Sequence, residues 1–153
     1  MKSALTIMMK TCPCLLLFVL FLGCGARNGQ GTFKFANGNE YTGNFIDGKM
    51  QGGTFKWPNG DEYTGNFADN KRQGWGTLRW ADGREYTGDW VEDTQQGQGT
   101  FKSPDGGHYT GSWEYGKING QGTYTYPSGN VYTGNFVDGE RQGQGTYKYA
   151  NGD

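Results

Sequence analysis

Catalysis needs a few residue types held close together, and this 153-residue chain is poor in them. Its one histidine is His108. A nucleophilic site would need a Ser or Cys beside that imidazole and an acid to orient it. Ser103, Ser112 and Ser128 instead take the places that other residues hold in a recurring pattern, and His108 takes a place held elsewhere by Glu40, Glu62 and Glu85. With all three cysteines at or before residue 24, the one histidine builds no Cys/His zinc site in the rest of the chain. The carboxylates Asp47, Asp69, Glu92 and Asp138 recur along the chain at one slot, which reads as turn residues and not as an acid–base pair across a cleft. Gly-x-Gly strings cradle phosphate when a helix stands behind them, and no helical period is present. No enzyme, no cofactor, no metal and no small-molecule substrate is expected.

Binding chemistry is better represented. A basic slot recurs as Lys34, Lys56, Arg79, Lys102, then Thr125, then Lys148. Such a strip could take acidic lipid head groups, but glutamates at the neighbouring slot would neutralise several of its cations. Two aromatic residues break the repeating pattern: Trp75 inside a Gly-x-Gly gap and Tyr115 in an acidic turn slot. Neither is required by the repeat, so both are candidate binding residues, and stacked Tyr and Trp rings offer glycan or peptidoglycan binding as an alternative to lipid.

Composition narrows the class. The chain has 29 Gly, and 22 of its 24 aromatic residues lie beyond Cys24. So many rings argue against disorder, because disordered chains are poor in them. No Gly recurs at every third residue, which excludes a collagen helix. The formal charge of −1 disfavours a nucleic-acid binder.

The first 23 residues are a different material. Lys2 and Lys10 precede Cys12 to Leu22, which is almost wholly apolar and too short for a membrane span of roughly 20 residues. A basic start, a short apolar run and then small residues read as a signal peptide over residues 1–23, with a possible translation start at Met9. Phe21-Leu22-Gly23-Cys24 resembles the lipobox of bacterial lipoproteins. That resemblance implies acylation of Cys24, residues 24–28 as a lipidated tether, and an exported protein anchored at the cell envelope, on the outer membrane in a Gram-negative cell. All three cysteines fall at or before this cut, so the rest of the chain forms no internal disulfide.

Residues 29–153 repeat one unit, and the period governs everything else. Tyr-Thr-Gly begins at Tyr41, Tyr63, Tyr86, Tyr109 and Tyr132, at intervals of 22, 23, 23 and 23. Gly-x-Gly-Thr ends at Thr32, Thr77, Thr100, Thr123 and Thr146, while Gly52-Gly53-Thr54 lacks the middle residue and accounts for the short interval. Tyr63-Thr64-Gly65-Asn66-Phe67 followed by Gly74-Trp75-Gly76 resembles the MORN repeat. Five units match, starting at residues 41, 63, 86, 109 and 132, behind a half unit at 29–40. The resemblance implies a binding or scaffolding module without catalysis of its own, with a protein or membrane lipid as partner.

The unit is also legible without the family. Phe33-Lys34-Phe35 and Phe55-Lys56-Trp57 alternate apolar and polar, as half-buried strands do. Each unit supplies two strands: one Tyr-Thr-Gly-x-aromatic, one Gly-Thr-aromatic-Lys-aromatic. Trp57-Pro58-Asn59-Gly60-Asp61 suits a three-residue hairpin loop with Gly60 in the left-handed position. That loop predicts Phe55 opposite Tyr63, Lys56 opposite Glu62, and Gly53 opposite Gly65. The return turn, as in Asp47-Gly48-Lys49-Met50-Gln51, reads as longer, with positive φ at Gly48, Asn70, Asp93, Gly116 and Gly139. Beyond Cys24 there is a single Leu, Leu78, so the core must be aromatic. The fold expected is all-β: an elongated, twisted antiparallel sheet of tandem hairpins. Its last strand edge would be open to self-association.

Overall fold

A computed structural model describes residues 28–152. The proposed signal peptide, the Met9 start, Cys24 and its tether up to Arg27 lie outside the described residues. The rest forms one antiparallel sheet in strict chain order: β1 (Gly29–Lys34), β2 (Glu40–Ile46), β3 (Lys49–Lys56), β4 (Glu62–Ala68), β5 (Lys71–Arg79), β6 (Glu85–Val91), β7 (Thr94–Lys102), β8 (His108–Glu114), β9 (Lys117–Thr125), β10 (Val131–Val137) and β11 (Glu140–Lys148). The all-β tandem-hairpin class read from the sequence is what the chain adopts.

The predicted register holds. Phe55 faces Tyr63, Lys56 faces Glu62 and Gly53 faces Gly65. The same triplet recurs in the first hairpin as Phe33/Tyr41, Lys34/Glu40 and Gly31/Gly43. The three-residue loops close as expected: Gly60 N–H donates to the Trp57 carbonyl at 3.0 Å, with Gly60 at φ 95°.

The return turn differs from the expectation. It is a two-residue turn, since Ile46 pairs with Lys49 and Ala68 with Lys71. Both turn residues have positive φ, as at Asp69 (50°) and Asn70 (64°), the geometry whose twist suits a hairpin. The residues that made the segment look long go into a bulge instead. Gln73, Gly74 and Trp75 together oppose Asn66, because Gly65 pairs with Gly76 and Phe67 with Arg72. In the short unit only Gln51 and Gly52 oppose Asn44, so the one-residue deletion shrinks a bulge and leaves the ladder in phase.

A single layer of sheet can bury rings only if the backbone makes room. Each tyrosine does this against two glycines. A Cβ built on Gly88 would stand 2.6 Å from Tyr86 Oη and 2.5 Å from the Gln98 carbonyl oxygen. Tyr86 therefore lies across Gly88 and its neighbour Gly99, and Tyr41, Tyr63 and Tyr109 lie likewise; these four are fully buried. Each phenol donates to a carbonyl of its own strand, Tyr41 to Asn44 at 3.0 Å and Tyr63 to Asn66 at 3.1 Å.

Between hairpins the rings meet edge to face. Phe45, Tyr41, Phe67, Tyr63, Trp90, Tyr86, Trp113, Tyr109, Phe136 and Tyr132 form one unbroken zigzag. Each such contact adds about 0.5–1.5 kcal/mol beyond area burial. The core is thus a string of T-shaped pairs running across the strands.

Candidate functional site

Alternation along every strand gives the sheet two faces. The ring face carries the tyrosine zigzag. Beside it run half-buried rings in the odd-numbered strands or at the residue that follows each, among them Phe55, Trp57, Trp80, Phe101, Tyr124 and Tyr126. Two shallow hollows open on this face. One is lined by Met50, Phe55, Trp57, Phe67, Arg72 and Asp93, the other by Tyr124, Tyr126, Phe136, Glu140 and Arg141. They are the same repeat slot, floored by an aromatic pair and walled by an arginine.

Arg72 is the most elaborately held side chain of this face. Its guanidinium sits 4.2 Å from the centre of the Trp90 ring. Its main-chain N–H and its Nε both donate to Asp93 Oδ1, at 2.9 and 3.0 Å, and Nη2 donates to the Asp93 carbonyl at 2.8 Å. It locks one return turn to the next. Sequence reasoning missed it, since Met50, Gln95, Ile118 and Arg141 share its slot and nothing local marks Arg72 as special.

Burial also changes the tyrosines' acidity. Loss of solvent pushes Tyr63 up to about 12, partly offset by the Arg72 charge. The phenols of Tyr41, Tyr86, Tyr109 and Tyr124 are likewise raised, in each case chiefly by burial.

The polar face has three rows running across the strands. The threonine row holds side-chain hydrogen bonds within the hairpins, such as Thr77 with Thr87 at 2.9 Å. The charged row pairs Lys34 with Glu40, Lys56 with Glu62, Arg79 with Glu85, and Lys102 with the same Glu85 across the return hairpin. Four of the five candidate cations are thus engaged by carboxylates. Lys148 faces Val131 and has no ion pair among the described residues.

The third row is made of amides and their replacements. Trp75 belongs to it, is 55% exposed, and pairs across the strands with Asp89. Tyr115 lies elsewhere. It occupies the first position of a two-residue turn at the sheet margin, at φ 50° and 79% exposed. A bulky residue at positive φ is unfavourable, and its N–H is held by Gln96 Oε1 at 2.9 Å. The structure therefore does not bring Trp75 and Tyr115 together.

His108 faces Lys102 on one neighbouring strand and Thr125 on the other. Among the described residues no group of three or more His, Cys, Asp or Glu side chains is placed to hold a metal ion.

Comparison with known proteins agrees with this geometry. A search of curated proteins finds no match. Among solved structures, the chain is similar to the TCP domain of SAS-4 (dCPAP) of Drosophila melanogaster, solved in complex with a proline-rich motif of Ana2 (dSTIL). The two share 18% identity at a TM-score of 0.53, over 81% of this chain and 69% of that one, which is a likeness of fold. The MORN repeat pattern matches six times, at residues 24–40, 41–62, 63–83, 86–108, 109–131 and 132–153. With matches running from residue 24 to residue 153, the protein belongs to the MORN repeat family.

Proposed function

We propose that this protein is a non-catalytic recognition scaffold held at the cell envelope through an acylated Cys24. One observation carries the scaffold reading: a single ordered ribbon presents the same slots strand after strand on two long faces. Such a surface suits an extended partner that touches many equivalent positions, each contact weak and the sum strong. The solved protein of similar fold holds a proline-rich motif. On this chain the half-buried rings at the ends of the odd-numbered strands are the surface that an extended proline-rich segment would use, since such segments dock on aromatic grooves.

The test is photo-crosslinking in intact cells from a reactive residue placed at Trp57, followed by identification of what is attached. A protein captured at Trp57 supports the scaffold; a chain that crosslinks to nothing there overturns it. The anchor is tested separately. Cys24→Ala should release the protein from the membrane fraction, and an unchanged distribution refutes acylation. Anionic phospholipid is the rival partner. Engagement of four cations by glutamates leaves the strip little free positive charge. Liposome sedimentation that rises with anionic lipid and falls with salt would restore that reading.

A further inference from the structure

We propose that the polar face carries a saccharide site centred on Trp75, whose ligand is a neutral, linear, β-linked oligosaccharide. It rests on the scaffold reading and names a ligand for the face opposite the rings.

The slot itself is the first ground. Equivalent positions hold Gln30, Gln98, Gln121 and Gln144, so the indole replaces an amide at the middle of the sheet. Its cross-strand partner Asp89 is the one carboxylate in a row otherwise occupied by Asn44, Asn66, Ser112 and Asn135. The row's aromatic ring and its negative charge therefore stand face to face.

Their polar capacity is only partly used. Asp89 Oδ2 accepts from the Gln98 N–H at 3.0 Å, which fixes the carboxylate and leaves Oδ1 open. The Asn66 amide and the Trp75 indole N–H have no hydrogen-bond partner among the described residues. Beside them lies the Thr77–Thr87 hydroxyl pair. A pyranose has an apolar C–H face and a rim of hydroxyls that both donate and accept. The face fits the exposed ring, and the rim fits an amide, a carboxylate and two hydroxyls.

Charge decides against an acidic polymer. Further along the same polar face, Arg79 and Lys102 are both bound to Glu85, at 2.9 and 3.1 Å, and Lys71 is bound to Glu92 at 3.2 Å. An anionic chain would find them occupied and would meet Asp89 unshielded. Composition decides against a protein. Interface cores gather apolar side chains and shed charge, whereas Trp75 stands alone among hydroxyl, amide and charged neighbours. The period favours a linear glycan, since two strands advance about 10 Å, close to the length of a β-1,4-linked disaccharide. A chain laid across the strands would keep meeting equivalent slots.

The experiment is calorimetric titration of the full-length chain with chitotetraose, with hyaluronan as the acidic control. Chitotetraose should bind and hyaluronan should not. Trp75→Ala should weaken binding at least roughly tenfold, the scale of one aromatic stacking contact. Trp75→Phe should keep it within about threefold, with both variants retaining the parent circular dichroism. Silence with chitotetraose and cellotetraose at millimolar concentration overturns the proposal, and so does equal binding by Trp75→Ala or tighter binding of hyaluronan. If titrations are silent while Trp57 still crosslinks a protein, the saccharide site falls and the scaffold stands.

Discussion

The two faces of this sheet are built from the same eleven strands under opposite rules. On the ring face the tyrosine slot reads Tyr41, Tyr63, Tyr86, Tyr109 and Tyr132 without exception, and both glycines beneath each ring are kept. On the polar face the threonine row is kept, but the slots on either side of it drift. Glu40, Glu62 and Glu85 give way to His108 and Val131, and a glutamine gives way to Trp75. The difference is one of steric tolerance. A tyrosine lying across glycines has no room for any other shape, whereas a side chain pointing into water has room for most. Stability is concentrated on one face, which leaves the other free to carry specificity.

Four measurements can break or sharpen that contrast, all by chemical or pH-induced unfolding. The largest effect is expected from Tyr86→Ala, which removes a fully buried ring and both its edge-to-face contacts. The loss should be about 3–5 kcal/mol, as for other large aromatic truncations. Gly88→Ala should follow at about 1–3 kcal/mol, because the new methyl group meets Tyr86 and the Gln98 backbone at once. A neutral result there would mean that the ring does not need the bare backbone.

Alkaline titration comes next. The folded pKa values of Tyr41, Tyr63, Tyr86, Tyr109 and Tyr124 stand above the ordinary phenol value. The unfolded chain thus loses these protons first, so the stabilisation is complete below about pH 10 and declines above it. For Tyr63 the decline runs up to about 12. Ionisation of these five rings, followed by their own ring resonances in NMR, should come with loss of structure; their ionisation at the ordinary phenol pH in an intact fold would contradict the burial. The smallest effect is expected from Lys56→Ala, whose pair with Glu62 is exposed. It should change stability by no more than about 0.5 kcal/mol, and a larger loss would place structural weight on the polar face.

Much of this was readable beforehand because period and turn chemistry are local. Gly60 and its equivalents set a loop that leaves only one register, so Phe55/Tyr63 and Lys56/Glu62 could be paired by eye. The return turn was misjudged because Glu92 and Tyr115 are not residues that advertise positive φ, yet both adopt it, at 46° and 50°. Glutamine side chains of the neighbouring odd-numbered strand hold them there, Gln73 Oε1 accepting from Glu92 N–H at 3.0 Å and Gln96 Oε1 from Tyr115 N–H at 2.9 Å. The Arg72–Asp93 latch was invisible for another reason. It joins residues in successive units, and only the stacking of one hairpin on the next brings them within reach. At the candidate saccharide site the sequence marked Trp75 as an exception, but its pairing with Asp89 depended on the register across β5 and β6.

The strand order has a mechanical consequence. Each strand's hydrogen-bonded neighbours are the ones next to it in sequence. A pull on the two ends therefore acts across the strands and loads the outermost ladder first, one hydrogen bond at a time. Under tension the ribbon should peel hairpin by hairpin at low force, lengthening in equal steps, and rewind when slack returns. Fastened at one end, it would behave as an extensible leash.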